Sequence, residues 1–240
     1  MNKISRTMER SVYAQLNELR RVLKWEVEIT TDDTGIMRIE CDHISRKHTI
    51  FLPHGFDVRP PKNAFRLLHE YCHAELTENV DVLYGAKSIV PRVKNATVAV
   101  TEDEELAIGN CLMVADDWFA EAVLCNHCPS YFKHDLARLL DMAKRIPNML
   151  PAYMMSLLVA QGAFYLNYPL FGNDTVQSLA TCFLQVTPHG PSPDALRKLW
   201  TDLLRVAAPR CSDLLDIEPV NGDEANEKIP TPTEVISIPV

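Results

Sequence analysis

The chain has 240 residues, 47% of them hydrophobic, with 24 Lys and Arg against 32 Asp and Glu and a formal net charge of −8. That length suits one large domain or two small ones, the apolar content suffices for a packed core, and the acidic balance disfavours general attraction to nucleic-acid phosphates or anionic lipid. Seven cysteines, an odd number without framework spacing, read as reduced thiols, and the first residues lack the apolar stretch of a secretory signal. A cytoplasmic protein is expected.

Along residues 5–24, Met8, Val12, Leu16, Leu19 and Leu23 recur three or four apart between charges, which predicts an amphipathic helix. Three short β-like runs follow, 25–30, 36–41 and 47–52, separated by turn-forming residues. They predict a small antiparallel sheet. Pro60-Pro61 then starts a helix whose buried stripe is Phe65, Leu68, Cys72 and Leu76, ending near Thr77. Residues 78–103 lack clear periodicity and read as a long excursion or small hairpin, either a functional lid or a disordered loop.

Helical spacing returns over 104–125 through Leu106, Met113, Trp118, Phe119, Ala122 and Val123, with acidic residues 102–105 near its N-terminus. Further helices are predicted at 133–145, 152–166, 175–185 and 192–207. The uncharged stretch between Arg145 and Asp174 is bracketed by Pro147, Pro151 and Pro169 and reads as a buried core helix, not a membrane span. The expected class is α+β. Residues 1–128 form a small domain of helix, sheet and two further helices, 129–215 an all-helical part packed on it, and 216–240, rich in Pro and acidic residues, a disordered tail. The apolar end of that tail, 235–240, is a candidate strand for a sheet edge or partner groove.

His69-Glu70-Tyr71-Cys72-His73 is an HExxH motif. On a helix, two histidines four apart share a face, so both imidazoles can hold one zinc ion (Zn2+), and Glu70 beside them is placed to accept a proton from water that the metal acidifies. Cys72 faces the other way and belongs to the core. A catalytic zinc site needs a third protein ligand and an open position. Asp116, Asp117 and Glu121 are the candidates in the following helix. Asp117 and Glu121, four apart on one face, form the favoured pair, one ligating and the other orienting a ligating histidine, in an order the sequence leaves open.

The order of helix, small sheet, HExxH helix and a helix reading Asp116-Asp117-Trp118-Phe119-Ala120-Glu121-Ala122-Val123-Leu124 resembles the ImmA/IrrE-type zinc metallopeptidases of the gluzincin group. The resemblance covers about residues 5–124, and His69, Glu70, His73, Asp117, Phe119, Ala120 and Leu124 match its pattern. At the position of the family's ligating glutamate this chain has Met113, a poor zinc ligand. Either Asp117 is the ligand with Glu121 behind it, or the third ligand is absent. The resemblance implies a zincin-like fold, a zinc-dependent endopeptidase with Glu70 as general base, and a protein or peptide substrate such as a transcriptional repressor. It also implies that the strand at 47–52 is an edge strand that binds extended peptide by main-chain pairing.

The alternative is a catalytically degenerate zincin-fold interaction or regulatory protein, kept open by Met113. Cys125-Asn126-His127-Cys128 could hold zinc or act as a redox pair, but without a second ligand pair downstream it reads as core thiols at a helix end. Tyr84, His127 and His189 are candidate oxyanion donors. A helix-turn-helix reading of the helices around 136–158 fails because the would-be recognition helix, 152–166, carries no basic residue, so no nucleic-acid partner and no membrane is expected. Oligomeric state has no sequence signal.

Overall fold

In the computed structural model the described residues are 6–85, 89–93, 100–146, 149–212 and 215–219, with 89–93 and 215–219 described by backbone alone. One compact unit comprises the described residues up to Pro91 together with 217–219; the other comprises those from Arg92 to Asp216. The chain is α+β and mostly helical. No helix among the described residues is long and apolar enough to cross a membrane.

The first unit opens with α1 (Arg6–Val22), whose Val12, Leu16 and Leu19 are buried at helical spacing. It packs against α2 (Pro61–Asn79). Between them lie β1 (Glu26–Asp32), β2 (Arg38–Asp42) and β3 (Lys47–Pro53). The sheet is not the antiparallel one that the sequence predicts. Its order is β1-β3-β2, with β3 antiparallel to β2 but parallel to β1.

The turns explain this. Between β2 and β3 the Asp42 carboxylate accepts from the backbone N–H of Ile44 (2.9 Å) and Ser45 (3.2 Å), and Arg46 adopts φ 53°, which closes a tight hairpin. Between β1 and β2 the chain also reverses, with Asp32 accepting from Thr34 and Arg38 and with Gly35 at φ 70°. That second reversal is wider, and β2 lands two strand spacings, about 10 Å, from β1. The gap takes β3. Its inward residues His48 and Ile50 are fully buried. Consequently β3 is paired on both sides, and it is not the free edge strand that the family resemblance implies.

Helix α2 starts where Pro60-Pro61 predicts but runs to Asn79 and is buried on most of its circumference, from Ala64 to Thr77. After it come a 3-10 turn at Val82–Tyr84, capped by the Asp81 side chain, and β4 (Ile89–Val93). β4 pairs with β5 (Leu215–Pro219) in a separate two-stranded sheet. The excursion at 78–103 therefore begins as helix and contains a strand, and residues 216–219 are strand where a tail is expected. The rest of that tail, 220–240, lies outside the described residues.

The second unit is built on α3 (Glu102–His127), which begins two residues before the sequence reading because Thr101 caps it. Thr101 Oγ1 accepts from Glu104 N (3.3 Å), and Thr101 N donates to the Glu104 carboxylate (3.0 Å), a reciprocal capping box. α4 (Pro129–Arg145) starts at its proline, four residues earlier than periodicity alone suggests, because proline's missing N–H costs nothing in a first turn. α5 (Ala152–Leu166) is apolar all round, buried without a break from Met155 to Gly162, and stopped by Asn167 at φ 51°. α6 (Asp174–Leu184) and α7 (Pro193–Ala207) are capped by Asn173 and Ser192, and α8 (Pro209–Ser212) follows. α3 packs with α4, α5 and α7. Two buried indoles pin it there: Trp118 Nε1 donates to Val186 O (2.9 Å), and Trp200 Nε1 to Ile108 O (3.4 Å).

Candidate metal centre

Helix α2 carries His69, Glu70 and His73 through its buried middle. Four residues advance a helix by about 40° past one full turn, so the two imidazoles stack along one face. Their Nε2 atoms converge to 3.1 Å, with the rings edge-on at 80°. His69 is half-buried and His73 is buried. Two nitrogens on one tetrahedral zinc, each about 2.05 Å from it, stand about 3.3 Å apart. The histidine pair is thus already at ligand spacing. Thr77 Oγ1 donates to the His73 carbonyl (2.8 Å), a bond that holds this turn of α2. Glu70 is buried at 9% exposure, out of bulk water as a proton acceptor requires, and Cys72 is fully buried on the opposite side.

His69, His73 and Asp117 each offer one ligand atom, and these atoms all lie within 4.8 Å of one another. Among the described residues this is the group of three that could hold a metal ion. Two imidazole nitrogens and one carboxylate oxygen are a donor set that zinc accepts, with a fourth position left for water or substrate.

Glu121 lies one turn beyond Asp117 on α3, half-buried, and is not in the group. Its charge acts on Cys125 and Tyr165, whose ionisation is pushed up mainly by burial. Asp116 is buried, and Met113, at the position of the family's glutamate, is 41% exposed. Among the candidate oxyanion donors, Tyr84 is buried and His189 packs against Phe164 and Tyr165; neither they nor His127 belong to the group. All seven cysteines, including Cys125 and Cys128, are buried thiols.

Sequence reasoning passed over one buried polar cluster in the first unit. His48 and Glu78 have side-chain exposures of 0% and 1%, with Nε2 of His48 3.0 Å from Oε1 of Glu78. Glu78 also accepts from the backbone N–H of Lys24 (2.7 Å) and Trp25 (2.9 Å), and the Trp25 ring stacks on the imidazole at 4.9 Å. A signal was there: His48 shares the inward parity of Ile50 in an alternating strand.

No family model, no curated protein and no solved structure matches this chain.

Proposed function

We propose that this protein hydrolyses peptide bonds with the help of zinc held by His69, His73 and Asp117. The observation that carries the reading is the convergence of the two Nε2 atoms of an HExxH helix to 3.1 Å, with the Asp117 carboxylate in the same group. When bound, zinc supplies a Lewis acid that lowers the pKa of water and polarises a carbonyl. Glu70, one residue from His69 and buried, accepts the proton of the attacking water and returns it to the leaving amine. His69 and His73, fixed on one face of α2, orient the metal, and Asp117 adds a carboxylate that offsets its charge. Glu121 stands one turn behind as a carboxylate able to orient a ligand. The HExxH and Asp117 matches support an ImmA/IrrE-like zincin acting on a regulatory protein. Substrate does not pair with β3, whose two edges are already occupied.

The test is zinc content by elemental mass spectrometry, followed by cleavage of a mixed peptide library. One zinc per chain with cleavage lost in Glu70→Gln, which keeps the metal, supports a peptidase. A chain that takes up no zinc overturns the reading. Stoichiometric zinc without any cleavage selects the degenerate, non-catalytic alternative.

A further inference from the structure

We propose that the His48–Glu78 pair is an acid-sensitive latch of the first unit: with His48 neutral it ties β3 to the end of α2 and the head of β1, and protonation of His48 at Nδ1 destabilises the fold around that tie. Neither residue of the pair belongs to the group of His69, His73 and Asp117.

The geometry selects one protonation state. Glu78 is a hub at the end of α2, accepting from Lys24 N and Trp25 N where α1 hands over to β1, and facing His48 Nε2 from β3. A carboxylate only accepts, so Nε2 carries the hydrogen and donates it to Glu78. That leaves Nδ1 without a hydrogen. Nδ1 is buried, with no hydrogen-bond partner among the described residues. Its surroundings are the Trp25 ring stacked at 4.9 Å and, on the same face of the sheet, the side chains of Val27 and Cys41, the partners of His48 on β1 and β2. None of these is an acceptor for an Nδ1 hydrogen comparable to a carboxylate, and Glu78 is the charged group that faces the ring.

Protonating the folded state therefore places a donor and a positive charge in a closed, apolar space, and the attraction of Glu78 only partly compensates. Burial pushes the His48 pKa down, against the opposing pull of Glu78. An unfolded chain has no such constraint and takes up the proton near pH 6.5. The sign follows from linkage. Because the unfolded state binds the extra proton first, stability from the latch is complete above about pH 6.5 and is lost as the pH falls through that value towards the lower folded pKa. Within that window one proton multiplies the unfolding constant by up to tenfold per pH unit. Glu78 and the two histidines of HExxH ride on one helix, so releasing the latch loosens the element that presents them.

Two measurements on the full-length, metal-free protein decide the matter. The first is an NMR titration of the histidine ring nitrogens from pH 8 to pH 5, with the His48 signals assigned by their absence in His48→Gln. The expected result is the Nε2–H tautomer with a midpoint below 6.5; an Nδ1–H tautomer, or a midpoint at or above 6.5, overturns the proposal. The second is the urea unfolding constant at pH 7.5 and pH 5.5 in the wild type and in His48→Gln, whose amide keeps a donor for Glu78. The wild type is expected to lose severalfold more stability than the variant over that interval, because only it gains the proton. Equal losses overturn the latch. If His48→Gln does not fold, the assignment is made by selective ring labelling and the first measurement decides alone.

Discussion

The Nε2 atoms of His69 and His73 lie 3.1 Å apart on one face of a buried helix. Two neutral imidazoles can share one hydrogen at that distance, but the same spacing also suits two ligands of one zinc ion. Removing either histidine separates these readings, since a hydrogen bond between rings leaves no metal behind.

Zinc binding is expected to depend unequally on the candidate residues. His73→Ala and His69→Ala should each abolish stoichiometric zinc, and Asp117→Ala should weaken it, while Glu121→Ala, outside the three-residue group, should lower affinity by about 10–100-fold at most. Competition with a fluorescent zinc chelator measures all four. Retention of full affinity in Asp117→Ala combined with loss in Glu121→Ala would reverse the assignment.

Replacing Glu78 by Ala should destabilise the first unit by about 2–6 kcal/mol, about 1–3 for each buried donor left without an acceptor. The carboxylate is buried and takes three hydrogen bonds, from Lys24 N, Trp25 N and His48; Lys24 N is exposed and can turn to water, so the loss strands the two more buried donors, Trp25 N and His48 Nε2. Urea unfolding followed by circular dichroism gives the value, and a cost under 1 kcal/mol would mean that water reaches the cluster.

Gly162 on α5 faces the side chain of Leu140 on α4. A Cβ built there meets Leu140 Cδ1 at 2.8 Å and Cδ2 at 2.9 Å, and Leu140 is fully buried. Both methyl groups clash, so no simple rotation of the leucine clears the space. Ala at this position gains up to about 1 kcal/mol of helix propensity but incurs about 1–3 kcal/mol of overpacking, and a net loss is expected. Combining Gly162→Ala with Leu140→Ala should recover the overpacking part, read as a non-additive double-mutant cycle.

Thiol reactivity should be low in the native protein. All seven cysteines are buried, and burial pushes the Cys111 thiol up to about 12. Ellman's reagent at pH 8 should report little thiolate before denaturation and all seven groups after it. Rapid reaction of Cys125 or Cys128 in the folded state would revive the redox reading of that pair.

The local elements were legible in the sequence because each is encoded by near neighbours. The spacing of Val12, Leu16 and Leu19, the prolines that start α2 and α4, and the uncharged run that becomes α5 specify helices without reference to the rest of the chain. HExxH belongs to the same class, since helical geometry alone brings His69 and His73 together. Other features were settled only by tertiary structure. Strand order depends on where the two chain reversals leave β1 and β2, so β3 came to the centre, parallel to β1, and lost the free edge expected of it. His48 met Glu78 across 30 residues of chain, because a carboxylate's partner is chosen by proximity in space, which no periodicity records.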